Sequence, residues 1–229
     1  KLQNLLTSLA YEKGILSALK IREKLDVPVR KEVSEHVRAA ARANDVLKLR
    51  SIWDFNEGRA GWKEMLLAPE PGHHMTAVHY SARDNCLSAL RFLLGTSLPV
   101  HLKDLNGAMP LHLAVINGNK DAVQLLVDHA RHTCGKDTVQ LSKIIDASYH
   151  PNNDIGMTPL HYAAEGNYMI IVRILLDSGA NPLKKDSTGL LPREKSVSHE
   201  IRKLLSLNRK NSDVPPPPPS LKAENATLA

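Results

Sequence analysis

The amino-acid sequence predicts an all-α solenoid of about five stacked helix–turn–helix repeats with N-terminal capping helices. Short helical patterns of apolar residues occur in pairs, and several residues recur at a spacing of 33 positions. Glycine or asparagine stands at the same place in the turn of successive pairs. Each predicted helix is too short to be stable alone in water, so each pair must bury its apolar face against the next pair.

The clearest repeat spans residues 154–185. Thr158 is a natural N-cap and Pro159 suits the first position of a helix, because proline has no N–H group to leave unpaired. Gly179 suits a left-handed C-cap at the end of the second helix. The apolar residues of the two predicted helices are Leu160, Ala163, Ala164, Ile171, Val172, Ile174, Leu175 and Leu176.

Copies of this unit occur in register along the chain. Gly156 and Pro159 recur 33 positions later as Gly189 and Pro192. The turn between the two helices needs residues that tolerate positive φ, and glycine and asparagine do so most easily. The recurring apolar–histidine pairs and turn residues are Val78-His79, Leu111-His112, Leu160-His161, Asn85, Gly118 and Asn167.

A period of 33 residues with Thr-Pro-Leu-His at 158–161 and Gly-Ala-Asn at 179–181 resembles the ankyrin repeat family. The resemblance covers roughly residues 30–208. It implies a non-enzymatic protein-interaction module, a scaffold or adaptor that presents a concave surface to a protein partner. It also implies that His79, His112 and His161 hydrogen-bond to backbone groups and tie loops together, rather than serving catalysis or metal binding.

The predicted organisation has three parts. Residues 1–29 form an N-terminal helical cap whose leucine pattern Pro28 ends, and a partner-binding or self-associating helix is the alternative for this stretch. Residues 30–208 form the repeats, and residues 209–229 form a proline-rich disordered tail. The predicted repeats span about 30–70, 71–103, 104–153, 154–185 and 186–208.

Three of the repeats depart from the pattern. The first lacks the Thr-Pro-Leu-His signature but carries Asn44 at its turn. The third has Met109 in place of the threonine cap and an insertion of 16 residues within 128–153, and the fifth has Glu194 where histidine is expected. The insertion contains apolar residues at near-helical spacing, which favours a small packed helix over a functional loop. These residues are Val139, Leu141, Ile144 and Ile145.

The tail contains five consecutive prolines, which favour a polyproline II conformation. Such a segment suits the aromatic-lined groove of a proline-recognition domain, which would make the chain a carrier of a linear motif. A plain linker to further sequence is the alternative. The candidate proline motif consists of Pro215, Pro216, Pro217, Pro218 and Pro219.

Composition and charge argue against two classes of partner, nucleic acids and membrane surfaces. The net charge is +6, but the basic residues lie mostly at the two ends and aromatic residues make up only 4%. This distribution argues against nucleic acid, which needs stacking side chains, and against a membrane surface, and no apolar run could span a bilayer. Cys86 and Cys134 make no disulfide framework, which indicates a reducing compartment, cytoplasmic or nuclear.

The sequence contains few residues or motifs that could form a catalytic or metal-binding site. It contains no glycine-rich phosphate loop, and the spacing of His129, His132 and Cys134 matches no established zinc motif. We therefore predict that the protein is not an enzyme and uses no cofactor and no metal. The chain begins with Lys1 rather than methionine, which indicates a piece of a longer protein.

In the family that the chain resembles, the loop tips and the first helix of each repeat line the binding surface. Leu105 and Ile116 are the strongest candidates for partner contacts, because an apolar residue at an exposed tip has no structural duty. The alternative function is a regulatory segment of a larger enzyme or channel that acts in cis. The predicted partner-binding residues are Arg83, Asp84, Lys103, Leu105, Asn106, Ala108, Ile116, Asn117, Asp154, Ile155, Met157 and Glu165.

Overall fold

The computed structural model describes residues 26–56, 68–96, 99–150 and 156–208, and within these ranges it contains eleven helices and no strand. An isolated antiparallel bridge pairs Tyr149 with Met157. The helices are α1 (Asp26–Arg42), α2 (Val46–Asn56), α3 (Ala77–Arg83), α4 (Leu87–Gly95), α5 (Pro110–Ile116), α6 (Lys120–Cys134), α7 (Thr138–Ile145), α8 (Pro159–Glu165), α9 (Met169–Asp177), α10 (Pro192–Lys195) and α11 (His199–Asn208).

Ten of these helices form two layers, and each helix packs against the next one in its own layer. The inner layer consists of α1, α3, α5, α8 and α10, and the outer layer consists of α2, α4, α6, α9 and α11. One continuous apolar core lies between the layers and runs from Val37 in α1 to Leu205 in α11. The all-α stacked fold is therefore confirmed, and five helix pairs follow one another in the described part of the chain.

The inner helices begin in the same way from repeat to repeat. Thr158 has extended backbone, with φ −82° and ψ 165°, and Pro159 follows it as the first helical residue. The side chain three residues after the N-cap then returns to accept a hydrogen bond from the N-cap N–H group. The distances from this N–H to the accepting atom are 3.2 Å for Thr76 to His79 Nδ1, 3.1 Å for Met109 to His112 Nδ1, 3.2 Å for Thr158 to His161 Nδ1 and 2.7 Å for Leu191 to Glu194 Oε2.

The other nitrogen of each histidine reaches the loop that precedes the next inner helix. Because Nδ1 accepts a hydrogen bond, the proton of the neutral ring sits on Nε2, which therefore donates. The predicted role of the three histidines as ties between loops is confirmed. The hydrogen bonds run from His79 Nε2 to the Ala108 carbonyl (3.1 Å), from His112 Nε2 to the Ala147 carbonyl (2.9 Å) and from His161 Nε2 to the Leu190 carbonyl (3.1 Å).

Arg38 takes the place of this histidine in the first repeat. It stands 41 positions before His79, the same offset that separates the turn residues Asn44 and Asn85. Its Nη1 atom donates to the Ala68 carbonyl at 2.8 Å, and the side chain is buried. Burial lowers the pKa of Arg38 from its usual value. Helix α1 is therefore tied to the loop that precedes α3 without the Thr-Pro-Leu-His signature, which the sequence pattern did not indicate.

The turns between inner and outer helices adopt the predicted left-handed conformation. The φ angles are 54° at Asn44, 55° at Asn85, 68° at Gly118 and 58° at Asn167. This conformation reverses the chain within two or three residues. Asparagine and glycine adopt it with least strain, so the prediction for these four positions is confirmed.

A second set of ties joins the repeats at these turns. Asn119 Nδ2 donates to the carbonyls of Ala82 and Arg83 at 3.0 and 2.7 Å, which caps the end of α3. At the equivalent place one repeat earlier, Cys86 Sγ contacts the Arg42 carbonyl at 3.3 Å, which caps the end of α1. Helix α3 is therefore held by the following repeat at both of its ends, and α1 at its C-terminal end.

The insertion in the third repeat is a packed extension, as its apolar spacing predicts. It lengthens α6 and adds α7, in which Ile145 is fully buried and Leu141 and Ile144 are half-buried against the core. Asp146 then joins the next repeat, since its Oδ1 accepts from the Asn181 N–H at 2.9 Å and its carbonyl accepts from Lys184 Nζ at 2.6 Å. The insertion therefore stabilises the contact between repeats three and four.

Two predicted segments lie outside the described residues. Helix α1 begins at Asp26, so Pro28 lies in its first turn. Proline is accepted there because the first N–H groups of a helix have no intrahelical partner. Residues 1–25 of the predicted cap and the predicted tail, residues 209–229, are not among the described ranges.

We expect acid to destabilise the fold through the buried histidines. An unfolded histidine gains its proton near pH 6.5, whereas burial lowers the pKa of His112 to about 4 in the folded chain. As pH falls below about 6.5, the unfolded chain binds a proton that the folded chain excludes, so stability decreases. Between pH 7 and pH 5 His112 should lower the free energy of unfolding by about 2 kcal/mol.

Urea unfolding at the two pH values checks this expectation. His112→Asn should flatten the pH dependence because asparagine does not titrate. His199→Asn, at an exposed position of α11, should leave it unchanged. Equal stability of the parent chain at pH 7 and pH 5 would contradict the argument.

We expect Gly118→Ala to destabilise the chain by at least about 1 kcal/mol, because alanine is strained at positive φ. A Cβ atom at Gly118 would also stand 2.9 Å from the Tyr168 ring. Gly95→Ala is the matched control, since nothing lies within 4 Å of its Cβ position and its φ is not positive. Thermal unfolding should show a lower midpoint for Gly118→Ala and an unchanged or higher one for Gly95→Ala. Equal midpoints for the two variants would refute the explanation.

Candidate protein-binding surface

The inner surface is formed by the exposed sides of α1, α3, α5 and α8 together with the loop tips that precede α3 and α5. Leu105 is 61% exposed at the tip before α5, and Ile116 is 38% exposed at the end of α5. The structure thus places both apolar candidates at the surface in the third repeat. Also exposed are Asp84, Lys103, Asn106, Asn117 and Glu165, and Arg83 is half-buried.

Two of the predicted contact residues are buried and do not belong to this surface. Ala108 has no exposed surface, because its N–H donates to Asp104 Oδ1 at 2.8 Å and its carbonyl accepts from His79. Met157 is 5% exposed, because its backbone pairs with Tyr149 in the isolated bridge. Both positions serve the packing of neighbouring loops. Residues 154 and 155, predicted as contacts, lie outside the described residues.

The tip that carries Leu105 is held by one aspartate. Asp104 Oδ1 accepts from the N–H groups of Asn106 at 2.9 Å and Ala108 at 2.8 Å. The Leu105 N–H donates to the His73 carbonyl of the preceding tip at 3.0 Å. The tip is therefore fixed both internally and to its neighbour, so Leu105 is presented in a defined position.

The last repeat uses the same turn with one addition. Asp186 Oδ1 accepts from the N–H groups of Thr188 and Leu190, both at 2.9 Å, and its Oδ2 pairs with Lys195 Nζ at 3.0 Å. Although burial alone raises the pKa of Asp186, the hydrogen bonds from Thr188 and Lys195 hold it well below its usual range. The same aspartate-held turn therefore occurs in a repeat other than the one that carries Leu105.

The surface between α5 and α8 is aromatic. The rings of Tyr149 and Tyr162 lie 5.9 Å apart between centroids, and the rings of His112 and Tyr149 lie 5.5 Å apart. Both tyrosines are half-buried, and burial, with the charges of Tyr149 and Glu165, raises the pKa of Tyr162 to about 12. Tyr162 is therefore neutral at physiological pH and adds aromatic area between α5 and α8.

The surface between α1 and α3 is polar and centred on a buried tyrosine. The guanidinium carbons of Arg42 and Arg83 lie 3.6 and 4.9 Å from the centroid of the Tyr80 ring. The Tyr80 hydroxyl donates to Glu70, which also pairs with Arg42 at 3.3 Å, and Arg83 Nε contacts Asp84 Oδ1 at 2.7 Å. This hydrogen bond to Asp84 raises the pKa of Arg83. Both arginines are therefore held in defined positions.

These features suit recognition of another protein. The inner surface combines apolar, aromatic and charged groups on elements that hydrogen bonds hold in place. Among the described residues, no group of three histidine, cysteine, aspartate or glutamate side chains is arranged to hold a metal ion. Within the same ranges, no helix is both long enough and apolar enough to cross a membrane.

Comparison with known proteins identifies relatives of the chain. A family model described as ankyrin repeats in three copies matches residues 55–137 and again residues 78–186. The chain is 30% identical over 116 residues to the human transient receptor potential cation channel subfamily A member 1, a match that covers 50% of this chain and 9% of that protein. It is 29% identical over 190 residues to the bovine mitochondrial disaggregase, which covers 70% of this chain and 28% of that protein.

Smaller relatives match as well. The chain is 32% identical over 102 residues to the human protein phosphatase 1 regulatory subunit 27, a match that covers 44% of this chain and 55% of that protein. In each of these three comparisons the chain spans less than two thirds of the relative's length, and in the channel it spans less than a tenth.

We expect Asp104→Ala to loosen the tip that presents Leu105. The N–H groups of Asn106 and Ala108 would lose their acceptor, and their amide protons should exchange at least about tenfold faster with deuterium. Hydrogen exchange followed by mass spectrometry or NMR measures this effect. Asp104→Asn, which keeps an acceptor oxygen, should stay close to the parent rate. Unchanged exchange in Asp104→Ala would show that the backbone alone holds the tip.

Proposed function

The chain belongs to the ankyrin repeat family, and on that premise we propose that it is a non-enzymatic interaction module that presents its inner surface to a protein partner. The observation that carries this proposal is the exposure of Leu105 and Ile116 on anchored elements of the third repeat. Exposed apolar residues of this kind are typical anchors of protein interfaces. Asn106, Asn117, Lys103 and Glu165 supply the polar rim that such an interface needs.

The proposed mechanism is rigid presentation. Binding lowers the conformational freedom of interface side chains and loops, and that loss opposes association. In this chain the tip at Leu105 is already held by Asp104 and His73, and α5 is tied through His112 to the loop that precedes α8. The entropy of ordering these elements is therefore lost during folding and not during binding.

A regulatory segment of a larger protein is the second proposal. The chain matches only 9% of the channel subunit and 28% of the disaggregase, so its relatives carry such repeats within longer chains. In that case the partner of the inner surface would be another domain of the same polypeptide. A cytoplasmic or nuclear location suits either proposal. The proline segment at 215–219 remains a separate candidate, as a ligand for a proline-recognition domain.

We predict that Leu105→Glu/Ile116→Glu will lower partner affinity at least about tenfold, because it places charge on the two apolar anchors. The assay is affinity capture from a matching cell extract with the immobilised chain, followed by titration of the captured protein. Leu47→Glu/Ile170→Glu is the matched control, since both residues are exposed and apolar but lie on the outer helices α2 and α9. Circular dichroism must first show that both variants are folded.

Further baits separate the alternatives. A chain cut after Leu207 tests the proline tail, and Val139→Glu tests the exposed side of α7. Deleting the insertion would be a poor test, since it would remove the buried Ile145 and the carbonyl that His112 binds. Binding lost only with the tail would make the repeats a carrier for a linear motif. If only the remainder of the parent protein binds, the chain acts in cis.

A further inference from the structure

A single column of side chains runs along the inner surface and changes character from one end of the stack to the other. The last residues of the inner helices α1, α3, α5 and α8 are Arg42, Arg83, Ile116 and Glu165. The column therefore passes from two basic residues through an apolar residue to an acidic residue. None of the four is buried.

The two arginines of the basic end have N–H donors to spare, although each already pairs with a carboxylate. Both oxygens of Asp84 accept from Arg83, and Glu70 accepts from Tyr80 and Arg42. Each guanidinium has five N–H donors, and among the described residues Arg83 uses two nitrogens and Arg42 only one. Both guanidinium groups contact the one Tyr80 ring, so they lie close enough for a single further carboxylate to accept from the remaining donors of both.

At the acidic end of the column, the group that is available to a partner is a carboxylate. Within the described ranges Glu165 forms no ion pair, and it lies on the exposed side of α8 next to the half-buried Tyr162. A basic side chain of a partner would therefore meet an unpaired carboxylate above an aromatic surface. Ile116, between the two ends, can only contribute by burying apolar area.

The spacing of the column indicates the form of the partner. Packed helices lie roughly 8–10 Å apart, so successive members of the column lie about that far apart. Two turns of an α-helix advance by about 10.8 Å, or roughly seven residues, and return to the same face. An extended strand covers that distance in about three residues and then presents the opposite face. A helix laid along the column can therefore face every repeat, and a strand cannot.

We infer that the inner surface takes an amphipathic helix of the partner that carries an acidic residue facing Arg42 and Arg83, an apolar residue about seven positions away facing Ile116, and a basic residue about seven positions further facing Glu165. This inference rests on the proposed function, since it names the chemistry of the partner of the same surface. The charge order sets the direction in which the helix lies, and the apolar residue supplies most of the affinity.

A display selection tests this inference with a defined probe. Randomised 20-residue peptides on an alanine-rich helical frame are selected against the whole chain. The expected binders carry the acidic–apolar–basic order at heptad spacing. Their affinity should fall at least about tenfold for Arg42→Gln/Arg83→Gln, the fold-change of one charge-assisted contact. It should be unchanged for Arg91→Gln/Arg173→Gln, whose arginines are exposed on the outer helices α4 and α9.

Exchanging the charges of Glu165 and of the peptide residue that faces it distinguishes a direct contact from a structural effect of the substitution. The selected peptides should bind Glu165→Lys weakly, and the same peptides with their basic residue changed to glutamate should regain affinity for that variant. Recovery of no binders, of binders without the charge order, or of binders indifferent to these substitutions would overturn the inference. If such binders still depend on Leu105 and Ile116, the proposed function stands while this partner chemistry fails.

Discussion

The structure depends on a hydrogen bond from a buried side chain of one inner helix to a backbone carbonyl of the loop that precedes the next inner helix. Each inner helix is seven residues or fewer beyond the first repeat, far below the length at which a helix is stable alone. Burial of the apolar core provides most of the stabilisation, but it does not by itself set the register between repeats. The directional bonds of His79, His112 and His161 do so, because the three donating rings are buried and would lose their acceptors in another register.

The same requirement explains how the irregular repeats remain part of the stack. In the first repeat Arg38 reaches the carbonyl that a histidine would reach, with a longer side chain that keeps its charge although it is buried. In the third repeat the insertion places Ala147 where its carbonyl accepts from His112, so this hydrogen bond is kept despite the 16 inserted residues. In the last repeat Glu194 caps its own helix through the Leu191 N–H. A glutamate suits this position because a carboxylate can accept from an N-cap but cannot donate to a carbonyl beyond it.

The sequence predicted the parts of the fold that depend on backbone geometry. Proline at the first helical position, asparagine and glycine at positive φ, and the helical spacing of the insertion each follow from the conformations that these residues allow. It did not predict Arg38, because one side chain can replace another whenever its length and donor suit the distance. It also placed Ala108 and Met157 at the surface, because the repeat pattern does not specify the neighbours that cover them, which are His79 of the preceding repeat for Ala108 and Tyr149 of the insertion for Met157.

In this fold the residues that hydrogen-bond to a neighbouring loop and the residues that are exposed on the inner surface occupy different positions. The exposed residues can therefore differ in chemistry while the backbone conformation stays the same. The residue at the histidine position must reach a particular carbonyl, and only His or Arg fills it where a following repeat is present to accept. The last residue of each inner helix does not have to reach such a carbonyl; at α3 the terminal carbonyls are capped by Asn119 of the next repeat. That position therefore holds arginine twice, then isoleucine, then glutamate, with the backbone around it unchanged. The specificity of the surface is consequently determined by side chains whose replacement has little effect on the stability of the stack.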